Sequence, residues 1–244
     1  MSISERQNTI LELLKKESYM TVKALSQATF ISESSIRRDL TELESQGLVR
    51  RSHGGVSSAD SVDRVLSLHS RMSKNTVGKR KIAKKASSLL ADGQIVMLDG
   101  SSTASFLIPY IAEHREITLF TNNMLTALRA IEHGIPTHCI GGRSVNGSPV
   151  LSGEDAYRAV GSLRPDLLFF SSQCVDANGV ISDYTAEENY LRALMLQNAR
   201  QSVFLCDSEK FNSFALYTLT MVREVDRVVF DAEFKELKMK CNLL

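Results

Sequence analysis

Ser32-Glu-Ser-Ser-Ile-Arg-Arg-Asp-Leu-Thr-Glu-Leu-Glu-Ser-Gln-Gly-Leu-Val-Arg-Arg-Ser-His-Gly-Gly55 decides how the N-terminal part of this chain folds. Ser32 supplies an N-cap hydroxyl, Ile36, Leu40 and Leu43 recur at helical spacing, and Gly47 supplies a stop. On a wheel turning about 100° per residue, Leu40 and Leu43 lie within about 40° of Ile36, whereas Ser34, Arg38, Thr41 and Ser45 lie opposite. One side of the helix is therefore greasy, and the other carries small polar residues, with Ser35 beside them, and one arginine. Small side chains let a helix settle into a major groove about 12 Å wide, where Arg38 can donate two hydrogen bonds to a guanine. Arg37, on the flank, suits a phosphate. The competing reading of all these positions is an ordinary solvated face.

Working outward, Ile10, Leu11, Leu13 and Leu14 give an earlier helix an apolar face after Ser4, and Thr21 can cap a short second helix carrying Val22 and Leu25. After Gly47 the chain alternates loosely around Gly54-Gly55, as a small hairpin does, and brings Arg50, Arg51 and His53 with it. Helix, tight turn, polar-faced helix and basic hairpin make the layout of a winged helix-turn-helix, whose wing touches the DNA backbone or minor groove. The stretch from Ser32 to Gly55 resembles the signature of the DeoR family of bacterial transcriptional regulators. Thr29-Phe30 departs from the family by filling a turn that usually holds a glycine, and Tyr19-Met20 precedes the second helix.

The chain has 244 residues, 43% apolar and 23% charged, with 13 Gly, 4 Pro and no Trp, which excludes collagen-like, low-complexity and largely disordered proteins. Cys139, Cys174, Cys206 and Cys241 are far apart, so neither a metal knuckle nor a redox pair is expected. No window reaches the ~20 apolar residues of a membrane span, and the N-terminus lacks a signal-peptide core, so a cytoplasmic protein is expected. Net charge is +1 over residues 1–58, +6 over 59–90 and −6 over 91–244, an asymmetry that attracts nucleic acid to one end only. Within the basic neck, Lys79 to Lys85 reads either as a further phosphate contact or as a solvated face whose opposite side, Ile82, Ala83, Ala86 and Leu89, packs.

From residue 73 the texture changes. Apolar runs at 95–98, 117–120, 137–140, 167–170, 203–206 and 228–230 alternate with helical patterns at 74–91, 102–114, 123–133, 154–162 and 186–200. That order predicts a largely parallel sheet covered on both faces, and hence an α/β chain of three parts: a winged helix-turn-helix over 1–57, a linker over 58–72 and a larger domain over 73–244. Asp99-Gly100-Ser101-Ser102-Thr103 leaves the first strand and opens a helix, a make-up that suits an anion but also an ordinary capped turn. Thr121-Asn122, Gly141-Gly142-Arg143 and the Lys210 segment end later strands, and in open α/β sheets such loops converge on one crevice. Routine turns and surface charges are the alternative.

In this order, D-G-S-S-T, T-N-N, G-G-R and D-S-E-K-F resemble the sugar-phosphate sensor domain of the same DeoR family, similar in fold to ribose-5-phosphate isomerase and the CoA transferases. The resemblance implies that Gly100, Ser101, Ser102 and Thr103 hold a phosphate. It implies further that Asp99, Asn122, Arg143 and Lys210 face sugar hydroxyls or the phosphate edge, with Thr121, Gly141 and Gly142 forming the remaining wall. Ser171 to Gly179 is bulkier and more polar than the family's turn, and Thr185 with Glu188 reads as a capping box. The expected protein is thus a repressor of a carbohydrate operon that binds double-stranded operator DNA as a dimer or tetramer and is released by a phosphorylated sugar, without metal or cofactor. The alternative is an isomerase-like enzyme with an attached DNA-binding module, in which Asp99 and Lys210 supply base and cation.

Overall fold

A computed structural model describes residues 5–17, 19–45, 48–52, 55–58 and 68–232. The chain divides into two compact units, 1–67 and 68–244. Ser4, Gly47, His53, Cys241 and residues 59–67 of the expected linker lie outside the described residues.

In the first unit α1 (Glu5–Glu17) and β1 (Tyr19–Met20) precede α2 (Val22–Thr29), α3 (Glu33–Ser45) and the antiparallel pair β2 (Val49–Ser52) and β3 (Gly55–Ser58). β1 adds to the far side of β3, so the residues just before α2 close the wing into three strands. Thr21 caps α2, its hydroxyl accepting from Ala24 N at 3.0 Å, and Ser32 begins α3 by accepting from Ile36 N at 3.0 Å through its carbonyl. α2 ends on Phe30, which holds a left-handed conformation (φ 57°) and is 97% exposed, in the place where a glycine avoids a Cβ clash. Ile10, Leu14, Leu25, Ile36, Leu40, Leu43, Val49 and Val56 form one buried core. A polar clasp runs beside it: Arg6 donates to both oxygens of buried Asp39 at 2.6 and 2.5 Å, and Gln7 donates to Glu42 at 3.0 Å.

The second unit opens with α4 (Leu68–Ser73) and α5 (Thr76–Ala86), followed by β4 (Ile95–Leu98), α6 (Ile108–Ile111), β5 (Thr118–Thr121), α7 (Met124–Glu132) and β6 (Thr137–Cys139). A hairpin of β7 (Arg143–Ser144) and β8 (Leu151–Ser152) leads to α8 (Glu154–Gly161), β9 (Leu167–Phe170), β10 (Cys174–Val175) and β11 (Val180–Asp183). The unit closes with α9 (Ala186–Asn198), β12 (Gln201–Cys206), β13 (Tyr217–Met221) and β14 (Arg227–Phe230). Six strands make a parallel sheet in the order β14-β12-β9-β4-β5-β6, as the alternating runs predict, and β10, β11 and β13 form a separate small sheet.

Strand alternation gives the sheet two buried faces. Val96, Leu98, Phe169, Val203 and Leu205 point to one cluster with Ile82, Ala83, Ala86 and the residues of α6. Met97, Leu168, Phe170, Phe204 and Cys206 point to the other, with α8 and α9. Each fully buried Phe, Leu or Val contributes roughly 1.5–3 kcal/mol, so the sheet is a rigid platform for its loops. From β4 the chain winds outward through β5 and β6, and from β9 it winds the other way through β12 and β14, which puts the reversal between β4 and β9. Ligand crevices of open α/β sheets lie at such a reversal, beyond the carboxyl ends of the strands.

The expected helix over 102–114 is instead a 3-10 turn, Ala104–Leu107, followed by the single-turn α6. Pro109 lacks the N–H that would continue one ladder through both. The expected helix over 74–91 begins after Asn75, whose side chain accepts from Gly78 N at 3.1 Å, and tightens into a 3-10 turn at Ser87–Leu89.

Candidate functional site

On α3 the buried residues are Ile36, Asp39, Leu40 and Leu43, while Ser34, Arg37, Arg38, Thr41 and Ser45 are exposed and Ser35 is half-buried. The wheel drawn from sequence therefore describes the helix, except that Asp39 joins the core side because Arg6 neutralises it. Ser32 Oγ lies 3.1 Å from Ser34 Oγ and donates to Ser35 Oγ at 3.0 Å, so the helix start is a hydroxyl cluster. Arg37 pairs with Glu33 at 3.0 Å one turn earlier, and Thr41 returns its hydroxyl to the Arg37 carbonyl. Arg38 is exposed and pairs with no carboxylate among the described residues. Arg50 and Arg51 lie on β2, in the wing.

The second cluster forms where β4 and β9 end side by side. Asp99 N donates to Phe169 O at 3.1 Å, and Ser171 N donates back to Asp99 Oδ2 at 3.3 Å, so the two strand ends are laced together. Asp99 Oδ1 accepts from Ser101 N at 3.2 Å, which curls the Gly100–Thr103 loop. Gly100 is required there because a Cβ would meet Val150 Cγ1 at 2.6 Å. Ser101, Ser102 and Thr103 are all buried; Ser101 Oγ accepts from Ala104 N and the Ser102 carbonyl accepts from Ser105 Oγ. Lys210, delivered by the turn after β12, donates to Ser171 Oγ at 2.6 Å and Thr103 Oγ1 at 3.2 Å and pairs with Asp207 at 3.3 Å. Burial opposes the charge of Asp207, but Lys210 and Lys79 outweigh it and hold the carboxyl below its usual range.

The β5 end contributes Thr121, Asn122 and Asn123, all buried. Thr121 Oγ1 accepts from Asn123 N, and Asn123 caps α7 through Oδ1 while its Nδ2 donates to Gly100 O at 3.1 Å. Asn122 Nδ2 donates to Leu151 O at 2.8 Å, which fixes the amide orientation and leaves Oδ1 buried with no partner among the described residues. Gly141 is exposed with open space around it, whereas Gly142 (φ 126°) is required, since a Cβ would meet Ser152 O at 2.5 Å. Arg143 is exposed and pairs with Glu187 at 2.9 Å; Glu187's own backbone N–H and then Arg143 lower its pKa.

Sequence reasoning missed the centre of this cluster. Arg192, on α9, donates from Nε to Asp99 Oδ2 at 2.9 Å and from Nη1 to Asp183 Oδ2 at 3.1 Å, with Glu188 Oε2 at 3.8 Å from Nη2. All four side chains are buried. Burial works against the Arg192 charge, yet Asp99, Asp183 and Glu188 outweigh it and raise its pKa. Burial pushes the Glu188 carboxyl upward, with Arg192 only partly offsetting it. The expected capping box is therefore corrected: Thr185 makes no side-chain cap, and the Glu188 carboxylate turns to Arg192 one turn on. A lone arginine inside Leu191-Arg192-Ala193-Leu194-Met195 was the available signal, since a cation in an apolar run needs buried partners. A small recess, with room for about one water molecule, opens against this group, with Gly100, Asn122, Leu191 and Met195 completing its wall.

The neck run divides. Lys84 and Lys81 are exposed, but Lys79 is buried and donates to the carbonyls of Arg71 and, at 2.8 Å, Lys74. Burial, then the charge of Lys210, lowers the Lys79 pKa to about 8. Lys85 donates to Phe230 O at 2.9 Å. Neither reading of that run, phosphate contact or solvated face, describes Lys79.

Comparison with known proteins gives both units relatives. Residues 6–62 match the DeoR-like helix-turn-helix domain, and residues 74–232 match the DeoR C-terminal sensor domain. The HTH-type transcriptional regulator GolR of Listeria innocua is 28% identical over 97% of this chain and 93% of its own length. The glycerol-3-phosphate regulon repressor of Escherichia coli K12 is 25% identical over 95% of this chain and 92% of its own. Among solved structures, ribose 5-phosphate isomerase A of Methanocaldococcus jannaschii aligns with 57% of this chain and 55% of its own, at 19% identity and a TM-score of 0.43.

Proposed function

Because this chain belongs to the DeoR family of transcriptional regulators across both its units, we propose that it represses a carbohydrate operon and leaves its operator when a phosphorylated sugar binds beside Asp99. The observation that carries the anion half of this reading is Lys210 Nζ at 3.2 Å from Thr103 Oγ1, a cation brought from β12 to the Ser-Ser-Thr loop leaving β4. A phosphate seated there takes hydroxyl and backbone donors from Gly100 to Thr103 and an ammonium from Lys210. Asn122 and Asp99 stand on the sugar side, and Thr121, Gly141 and Gly142 shape the surrounding loops. Arg143, held at the start of α9 by Glu187, acts at the rim.

In the DNA-reading unit, Arg38 reads a base edge, Ser34, Ser35 and Thr41 allow close approach to the groove, and Arg37, Arg50, Arg51 and His53 contact phosphates. Two such units are held about one duplex turn, ~34 Å, apart in a homo-oligomer. Met124, Leu128 and Ile131 form an exposed apolar ridge at helical spacing on α7, which supports association of sensor domains in the cytoplasm. Effector binding then shifts the oligomer to a spacing that fits the operator poorly, at a coupling of roughly 1–3 kcal/mol.

An isomerase is not favoured. Both Asp99 oxygens are engaged as acceptors from Ser101 N, Ser171 N and Arg192 Nε, and the relatives that match along both units are regulators. The reading is tested by following operator-fragment anisotropy with the intact protein while sugar monophosphates are added. Release by at least one monophosphate, and not by its dephosphorylated sugar, is expected; retention of DNA with every compound contradicts the proposal.

A further inference from the structure

Lys79 has no part in the anion seat, yet it stands between that seat and the first helix of the second unit. Its buried ammonium, carried by α5, donates to the carbonyls of Arg71, within α4, and Lys74, just after it. Carbonyls at a helix end have no intrahelical partner, so this one side chain satisfies the end of α4. The helix spans only Leu68–Ser73 and is where the chain enters the second unit. On the other side of Lys79 lies the turn that delivers Lys210. Burial, then Lys210, opposes the Lys79 charge, whereas Asp207 and Glu209 support it. Asp207 Oδ2 lies 3.3 Å from Lys210 Nζ as an ion pair, but it is buried and accepts no hydrogen bond among the described residues. The same turn is fastened to the start of α5: Asp231 accepts from Ser208 N at 2.9 Å and from Asn75 Nδ2 at 3.2 Å, and a Cβ on Gly78 would collide with Asp231 Oδ2. Between these fixed parts, an ammonium on a flexible four-carbon stem can change partner.

Resting on the sugar-phosphate reading above, we propose that Lys79 is the positioning residue that couples the anion seat to the neck, leaving the carbonyls of Arg71 and Lys74 for Asp207 when a phosphate takes Lys210. Before binding, Lys210 donates to Ser171 Oγ and Thr103 Oγ1 and neutralises Asp207, while Lys79 holds the end of α4. A phosphate dianion draws the Lys210 charge to itself, which leaves Asp207 a buried carboxylate short of a cation. Burial opposes the Asp207 charge, and after Lys210 it is Lys79 that keeps the carboxyl ionised. The repulsion of Lys79 by Lys210 falls at the same moment. Asp207 Oδ2 then offers the ammonium a charge-assisted bond, stronger than one to a neutral carbonyl. With Lys79 gone, α4 loses the donor at its end and the neck it begins is released. Two positions of one ammonium thus supply the two-state element that coupling between separate sites requires.

The experiment compares wild type, Lys79→Met and Asp207→Asn as intact chains at pH 7, where Lys79, with its pKa lowered to about 8, is charged. The probes are glycerol 3-phosphate, ribose 5-phosphate, glucose 6-phosphate and fructose 6-phosphate. Calorimetry gives the Kd of each probe, and anisotropy of an operator fragment gives the DNA Kd with and without saturating probe. In the wild type an active probe should weaken operator binding at least roughly tenfold. Lys79→Met keeps the stem without the ammonium and should bind that probe within about fivefold of wild type. With or without the probe, its operator Kd should lie within about twofold of the wild type's probe-saturated value. Asp207→Asn gives Lys79 no charge to move to, and with the probe bound should hold operator within about twofold of probe-free wild type. A merely structural role would lower the folded fraction and leave the response to the probe in place. Wild-type release by the probe in either folded variant overturns the proposal. Failure of all four probes to bind the wild type, with operator binding intact, instead overturns the sugar-phosphate reading on which the proposal rests.

Discussion

Arg192 Nε donates to Asp99 Oδ2 at 2.9 Å, joining the middle of α9 to the loop that leaves β4. The same guanidinium reaches Asp183 at 3.1 Å, so one side chain organises the ends of β4, β11 and α9 around the recess. A buried charge left without its partner is more costly than the pair is stabilising. Arg192→Leu strands three buried carboxylates and should lower the unfolding free energy of the sensor domain by about 3–5 kcal/mol, read as a shift of the urea midpoint. Arg192→Lys should recover only part of this, because a single ammonium cannot present the planar fork that meets Asp99 and Asp183 together. A loss below about 1 kcal/mol for Arg192→Leu would remove the network from the stability of the domain.

Lys79 gives a pH signature. Its folded pKa is lowered to about 8, first by burial and then by Lys210, whereas an unfolded lysine titrates near 10.4. Between those values the unfolded chain binds more protons, so this residue makes stability rise with pH across the window. Below pH 8 the cost of holding the ammonium buried is present in full. The difference between wild type and Lys79→Gln, measured by denaturant unfolding from pH 7 to about 10.5, should therefore slope in favour of wild type as pH rises. A flat difference would contradict the assigned shift.

Two neighbouring arginines of α3 should separate by sequence selectivity and salt dependence. Arg38→Ala should cost about 1–3 kcal/mol on the cognate operator and little on a shuffled duplex. Arg37→Ala should weaken both duplexes alike and reduce the salt slope by about one. Unchanged selectivity in Arg38→Ala would take that residue out of base readout.

Much of this architecture is legible in the sequence because its signals are local. Apolar runs such as Leu167–Phe170 are buried on both faces, and their hydrophobicity marks a central parallel strand directly. The apolar stripe Ile36, Leu40 and Leu43 likewise marks the inner face of α3. What escapes is long-range charge pairing: Asp99 and Arg192 are 93 residues apart, and nothing in either neighbourhood names the other. Glu188 illustrates the same limit, since its spacing from Thr185 fits a capping box but the partner that captures it is Arg192. The two-residue strands β7, β8 and β10 also escape, because so short a run carries no periodicity.

The anion seat is tested most directly by Ser102→Asp, which sets a carboxylate in the buried Gly100–Thr103 loop. The measurement is the melting shift of the intact protein with a sugar monophosphate that releases the wild-type operator complex. At about a hundredfold excess over its Kd, such a ligand stabilises the wild type by about 2.7 kcal/mol. The account predicts that the folded variant binds operator as before, shows no melting shift and stays on DNA. A wild-type shift and wild-type release in Ser102→Asp would contradict it.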